Sequence, residues 1–189
     1  MAFEQKKIQF SFSEDALWMP VYTLPRHEFR LHQYFEQHRI PAYLPVVPAL
    51  KVHNVHKKNA SYTYKRTTVQ PMFSSYVFAR MTEEQKRNSW RSNSILRIWQ
   101  VSEAEQPSFI EELLRIQMME ELAQKTKLEF RSDIKEGDRF VIESPPYEGT
   151  CGYLLEKRKK FLWSVKLEFL NMTVQAEIDP ADYKMRKME

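Results

Sequence analysis

The sequence predicts an α+β protein in two parts: a sheet layered against helices, then a small all-β barrel. Three observations predict it. Strand-like and helix-like segments interleave as far as about residue 126, the pattern of a sheet covered by helices. Beyond residue 133 only short strand patterns remain, at the close, regular spacing of a small barrel. The three glycines of the 189-residue chain, Gly137, Gly149 and Gly152, all fall within sixteen positions of that second part. Glycine is the residue that tight turns and close backbone approach favour.

Taken in order, "WMPVYT" (18–23) alternates weakly and is bounded by Pro25, which reads as a short strand. Pro20 has no N–H to give, which assigns it to an edge or a strand start. Leu31, Tyr34, Phe35 and His38 lie at i, i+3, i+4 and i+7, one face of a helix that Pro41 cannot continue. Two strands follow at about 43–55 and 62–70, joined by the polar, basic tip "HNVHKKNASYTYKR", an exposed hairpin arm. "MFSSYVFARM" (72–81) supplies a further strand. Thr82 with Gln85, and Ser108 with Glu111, form capping-box patterns, each opening a helix. The second helix runs to about 126 on Ile110, Leu113, Leu114, Met118 and Leu122, and "ILRIWQV" between the two reads as a strand. "KTKLEFRSD" (125–133) breaks the periodicity. The expected boundaries are therefore a first domain at 1–126 with its core from about 17, a linker at 127–133 and a barrel at 134–189.

Composition narrows the function classes. With 42% hydrophobic and 13% aromatic residues the chain has ample material for packed cores. No apolar run approaches the ~20 residues that cross a bilayer, and the N-terminus lacks an apolar signal region. A lone cysteine, Cys151, excludes an internal disulfide and a cysteine-pair zinc site. The expected setting is cytoplasmic, monomeric and away from membranes. Residues 1–80 carry eleven Lys/Arg against five Asp/Glu, and no acidic residue occurs across the 46 positions from Gln37 to Thr82. Such a span is either a solvated surface or a face turned to a polyanion. Lys57, Lys58, Lys65 and Arg66 in the arm, with Arg26, Arg30 and Arg39 around the first helix, are the candidate phosphate contacts.

Other constellations read more plainly. His53 and His56 have no cysteine or carboxylate nearby, so an exposed hairpin outweighs a metal site. Cys151 has no histidine in its domain to activate it and reads as packing. The pairs Glu83-Glu84, Glu111-Glu112 and Glu120-Glu121 are sequence neighbours on helices and do not converge on a pocket. With no glycine in the first 136 residues there is no phosphate loop. No enzyme, cofactor or metal is expected.

The run Gly137-Asp138, "FVIESPPYEGTCGYLLE" and apolar "VKLEFL" resembles the KOW motif, a turn-and-strand unit of small SH3-like barrels. Upstream, "W…VYTLPRHEFRLHQYF…RIPAYLPVV" and "PMFSSYVFARM" resemble the N-terminal domain of the NusG family. The positions that carry this are Trp18, Thr23, Glu28, Ile40, Tyr43, Pro45, Pro71, Met72, Phe73, Tyr76, Val77 and Phe78. The resemblance covers nearly the whole chain from about Leu17. It implies an antiparallel sheet flanked by helices, then an SH3-like KOW barrel whose turn holds Gly137, Gly149 and Gly152.

It also implies a transcription elongation or antitermination factor that docks on a coiled coil of RNA polymerase, within reach of DNA or RNA. The implied polymerase contacts are Phe73 and Tyr76, with Phe78 and Tyr22 beside them. Phe73 and Phe78 differ by an odd number of positions, so alternation gives at least one of them to the core. The barrel, nearly balanced in charge, would recruit a ribosomal protein or a termination factor. Ser75 stands where the family places glycine before the Tyr, "SPPYEG" replaces a Gly-Pro-Phe turn, no glycine precedes "LRIWQV", and Asn171 takes another glycine position. These departures imply a specialised paralog of the RfaH or polysaccharide-locus type. A ribosome-associated, RNA-binding KOW protein is the second reading.

Overall fold

A computed structural model describes residues 8–57, 60–126, 128–131, 138–145, 147–157, 160–167, 169–170 and 172–188. The chain divides into two compact units, Met1–Ile110 and Glu111–Glu189.

The first unit contains β1 (Leu17–Thr23), α1 (Glu28–Gln37), β2 (Ala42–Tyr43), β3 (Val46–Lys57), β4 (Ala60–Pro71), β5 (Tyr76–Met81), α2 (Glu83–Ser89), β6 (Ile95–Ile98) and the start of α3 (Gln106–Leu122). Four strands form an antiparallel sheet in the order β2-β5-β1-β6, and β3 with β4 make a separate two-stranded ribbon. Alternation along the strands divides the sheet's side chains between two faces. Met19 and Val21 of β1 join Val77, Ala79 and Met81 of β5 in one buried cluster with Leu31 and Phe35 of α1. The other face carries Trp18, Tyr43 and Phe78. Phe10 sets its edge on Trp18 and Tyr43 at 5.1 and 5.3 Å, and Phe109 meets Phe78 at 6.2 Å.

Pro20 lies inside the sheet, because β1 runs between β5 and β6; the expected edge position does not hold. The strand tolerates it for a local reason. A strand residue's N–H and C=O point the same way, and the Pro20 carbonyl accepts the Trp99 N–H at 3.0 Å. The missing donor thus faces the side where β6 pairs only with Val21 to Thr23. Further along that side, the Gln106 amide accepts the Trp18 N–H and donates to the Trp18 carbonyl, at 2.9 and 3.0 Å. A side chain replaces a strand there.

Helix ends follow capping chemistry, with two differences from the sequence expectation. α1 stops before Pro41 is reached: Arg39 takes a φ of 55°, and the Arg39 and Ile40 N–H groups return to Glu36 and Phe35 carbonyls at 3.1 and 2.9 Å. That is the Schellman ending. His38 caps this end, exposed and stacked on Tyr34 at 4.0 Å, while His32 takes the buried position instead. Thr82 and Gln85 form the expected box. The second box is Ser102 with Glu105, not Ser108 with Glu111, because the chain is extended at Ser102 and already helical from Gln106. The α3 helix accordingly ends at Leu122.

The second unit takes the rest of α3, then β7 (Leu128–Arg131), β8 (Asp138–Ile142), β9 (Cys151–Lys157), β10 (Lys160–Leu167), β11 (Met172–Ile178) and β12 (Met185–Lys187). The six strands form an antiparallel sheet in the order β12-β8-β9-β10-β11-β7. Among the described residues β12 and β7 do not pair, so no closed barrel is found among them. Within 127–133, read as linker, Leu128 to Arg131 pair with β11 as β7. The division between units falls upstream of that linker, inside α3. Its buried Leu113, Ile116, Met119 and Leu122 follow the division, in the second unit. Burial, with the Glu121 carboxylate and Tyr183 adding to it, pushes the Tyr147 phenol up to about 12.

The glycines here serve different needs. Gly149 has a φ of 83° in the turn where its N–H bonds the Ile142 carbonyl at 2.8 Å. Gly152 is a matter of space: an added Cβ would lie 2.7 Å from the Trp163 ring and 2.8 Å from the Ser164 carbonyl oxygen. Gly137 lies outside the described residues, as does Asn171. Gly152→Ala is expected to lower stability by about 1–3 kcal/mol through overpacking against backbone and a buried indole. Gly149→Ala, with nothing within 4 Å of the new carbon, should cost only the ~1–2 kcal/mol of left-handed strain. Thermal denaturation of both variants checks this; a Gly152→Ala protein that melts with the wild type would contradict the packing at Trp163.

His32 predicts a pH dependence. Burial lowers its pKa below the ordinary 6.5, outweighing the opposing pull of Glu36, whose carboxylate oxygen is 3.8 Å from Nδ1, and of the Ala42 backbone. Below 6.5 the unfolded chain then binds more protons at this site than the folded one. Its stabilisation is complete above pH 6.5 and declines as pH falls from there towards the depressed value. Chemical denaturation between pH 7.5 and 5 should show that decline, and His32→Gln should flatten it.

Candidate functional site

The open end of the second sheet face holds an aromatic cluster. Tyr22 of β1 pairs in register with Tyr76 of β5 and with Arg97 of β6. Their rings and that of Trp99, just past β6, enclose a triangle. Tyr22 to Tyr76 is 5.2 Å, Tyr22 to Trp99 is 5.7 Å edge-on, and Tyr76 stacks on Trp99 at 5.7 Å and 22°. The Arg97 guanidinium carbon lies 4.9 Å over the Trp99 ring, a cation–π contact. All three rings are half-buried and Arg97 is exposed. Burial raises the Tyr76 phenol pKa; the nearby Tyr22 adds to this and Arg97 opposes it. The hydroxyl stays protonated at neutral pH.

Phe73 and Phe78, expected beside Tyr76 at this surface, are 3% and 0% exposed. Phe78 packs between Tyr43 and Phe109 on the closed end of the same face. Phe73 precedes β5, which begins only at Tyr76, and so is not governed by strand alternation. Tyr22 and Tyr76 are therefore the two expected residues at the surface. Trp99 and Arg97 complete the cluster and were not singled out by the sequence. The signal was present: "RIW" sets Arg97 and Trp99 two apart on one strand face.

A buried corner fixes the cluster. Ser75, immediately before Tyr76, has a φ of 65°. Its N–H donates to the Glu28 carboxylate at 2.7 Å, and its carbonyl accepts the Thr23 N–H at 2.8 Å. Glu28 is in the first turn of α1, where the helix dipole favours a negative charge. Leu24 and His27 add bonds to the Ser94 carbonyl at 2.9 Å and the Ser94 hydroxyl at 3.1 Å. The ends of β1, α1, β5 and β6 meet in this corner.

The basic candidates form a second surface. Arg26, Arg30, Arg39, Lys65 and Arg66 are exposed. Lys58 lies outside the described residues, and only the backbone of Lys57, at the end of β3, is described. The ribbon is buried at its base through Val46 and Val47, then carries exposed Leu50, Val52, Tyr62 and Tyr64 at 61, 55, 49 and 44%. Among the described residues no group of three or more potential metal ligands occurs, and no helix is long and apolar enough to cross a membrane.

The family model described as "Transcription termination factor nusG" matches residues 16–119. The chain belongs to the NusG family. A solved structure described as the crystal structure of the MjSpt4:Spt5 complex in conformation B is 12% identical, covering 92% of this chain and 99% of that one. Its TM-score of 0.28 is too low a likeness to define the fold. No curated protein matches. The NusG match opens one residue before β1 and closes within α3, so it contains the aromatic cluster, the corner and the ribbon. Phe10 and the six-stranded sheet lie outside it. Within it, Ser75, read as standing in place of a glycine, is left-handed at 65°, and so is Asn93 at 51° in the segment ahead of β6, which lacks one.

Glu28→Ala should therefore destabilise the protein by about 1.5–3 kcal/mol, the scale of a hydrogen bond to a charged group. It should also loosen the Tyr76 ring, seen as broadened aromatic NMR signals. Glu28→Gln retains an acceptor and should lose less. Ser75→Gly should be neutral or stabilising, since it relieves left-handed strain while keeping the N–H.

Proposed function

We propose that this protein binds RNA polymerase through the Tyr22–Tyr76–Trp99 cluster and favours the elongating over the paused enzyme, as an antitermination factor. The observation that carries this is a half-exposed, mutually braced aromatic triad inside the region that matches the NusG family. Aromatic anchors beside an arginine are the composition of interface hot spots. The acid-free ribbon and the arginines around α1 then face nucleic acid of the elongation complex. The second unit is read as a KOW module related to SH3-like barrels. It would recruit another protein, a ribosomal protein or a termination factor, through an exposed sheet edge. Both modules work as a cytoplasmic monomer without cofactor or catalytic step. The glycine replacements support a specialised paralog of the RfaH or polysaccharide-locus type.

The ribbon's exposed aromatic and basic residues also suit a second reading, an RNA-binding protein attached to ribosomes. Co-purification separates the two: polymerase subunits support the first, ribosomal RNA without polymerase the second.

Tyr76→Ala and Trp99→Ala should each weaken binding to purified polymerase by about 2 kcal/mol, near thirtyfold, with little change in melting temperature. Each should also abolish the effect on pausing in a reconstituted transcription assay. Phe73→Ala and Phe78→Ala should instead lower the melting temperature, as large-to-small core changes do. Unchanged polymerase affinity in both surface variants would refute the docking assignment.

A further inference from the structure

We infer that one face of the β3–β4 ribbon is a stacking platform for unpaired bases, so that it takes single-stranded in preference to double-stranded nucleic acid. This rests on the reading of the acid-free ribbon as nucleic-acid-facing and specifies what it would hold.

Alternation along β4 sets Tyr62, Tyr64 and Arg66 on one face, with Lys65 on the other. The two rings lie 6.3 Å apart and 30° from parallel, and both are close to half exposed. Arg66, exposed, follows them at the next position on that face and pairs in register with Lys51. The opposite face differs in kind: Leu50 pairs with Thr67 and Val52 with Lys65, giving exposed aliphatic side chains and one cation.

Charge selects the partner class. The ribbon lies wholly within the 46 positions that contain no acidic residue, and its two strands include Lys51, Lys57, Lys65 and Arg66. A polyanion is complementary to it, whereas an acid-free surface gives a basic protein partner nothing to pair with. Ring geometry then selects among polyanions. Successive rings along one strand face, followed by a cation, are an arrangement on which consecutive bases stack while the backbone follows the charge. In a duplex the bases are already stacked on each other and their faces are closed to the tyrosines. A single strand has free π-faces, and stacking of this kind tolerates any sequence. The same chemistry serves displaced DNA and nascent RNA, so both are probed.

The experiment uses the full chain and labelled twelve-nucleotide probes in fluorescence anisotropy: single-stranded DNA, single-stranded RNA of the same sequence, and the DNA duplex. The main variant is Tyr62→Val with Tyr64→Val, which keeps strand propensity and removes both rings. The expected result is tighter binding of single strands than of duplex. The double Val variant should lose roughly tenfold or more on single strands, with little loss on duplex and an unchanged salt dependence. Tyr62→Phe with Tyr64→Phe should restore binding, because the ring face is kept. Lys65→Glu with Arg66→Glu should weaken all probes and reduce the salt slope. Leu50→Ala with Val52→Ala, on the other face, should leave single-strand affinity unchanged.

If charge reversal weakens binding but the double Val variant binds single strands like the wild type, the stacking platform is wrong and the basic arm stands. Equal or tighter binding of duplex would likewise overturn it. If no probe binds even at low salt, the nucleic-acid reading of the arm falls and the platform with it. Loss of affinity for nucleic-acid-free polymerase in the double Val variant, with single strands unaffected, would make this a protein-facing surface.

Discussion

One buried hydrogen bond holds the open end of the first sheet together: the Glu28 carboxylate accepting the Ser75 N–H at 2.7 Å. Its strength comes from three sources acting on the same atoms. A hydrogen bond to a carboxylate is worth more than a neutral one. The carboxylate sits in the first turn of α1, whose exposed N–H groups favour it. And a buried carboxylate without partners would be unfavourable, which makes the bonded arrangement the only economical one. The gain offsets the ~1–2 kcal/mol cost of a serine with positive φ. Because the Ser75 carbonyl also takes the Thr23 N–H, the turn before β5 is pinned to the end of β1. Register then places Tyr22 opposite Tyr76, and the aromatic cluster follows.

The same corner bears on the distribution of glycine. Left-handed positions in the first unit are occupied by Arg26, Arg39, Ser75 and Asn93, at φ between 51 and 65°, within reach of an L-residue. Each has local compensation. Arg26 is the third residue of a turn closed by the His27 N–H to Leu24 carbonyl bond at 3.1 Å, with Pro25 supplying the second position. Arg39 and Ile40 between them close two helix-terminal carbonyls, and Asn93 donates to the Trp90 carbonyl at 3.2 Å. In the second unit the demands differ. Gly149 at 83° lies farther from the left-handed helical well, and Gly152 has no room for any side chain. Conformational demands can be met by bonds; a steric one against Trp163 cannot.

Legibility in the sequence tracks the range of the interaction. The Thr82–Gln85 box, the Leu31 and Phe35 face and the alternation of β1 are local, and each is formed. Failures begin where a partner is distant. Strand β7 carries only "LEFR", too short to announce itself, and exists by pairing with β11 more than forty positions away. Pro20 is admitted inside the sheet because β6 is short, which nothing near Pro20 encodes. The site divides in the same way. Tyr22 and Tyr76 were readable as surface aromatics, whereas Trp99 joins them only through the register of β6. For Phe73 and Phe78 alternation gave at least one to the core, but not both, since the burial of Phe78 depends on Tyr43 and Phe109.

The two aromatic groups at the surface of the first unit differ in construction. In the cluster, each ring contacts the other two and Arg97 lies over one of them, so little side-chain freedom remains to be lost on binding. That preorganisation suits a partner of fixed shape. On the ribbon, Tyr62 and Tyr64 brace each other across 6.3 Å on a two-stranded element, which is marginal without further packing. The ribbon lies in a span without acidic residues, so its attraction for a polyanion is charge more than shape. A braced aromatic patch and a basic ribbon within one unit are thus two different kinds of surface. On the reading proposed above, the cluster would dock a protein by shape, and the acid-free ribbon would follow a polyanion by charge without reading its sequence.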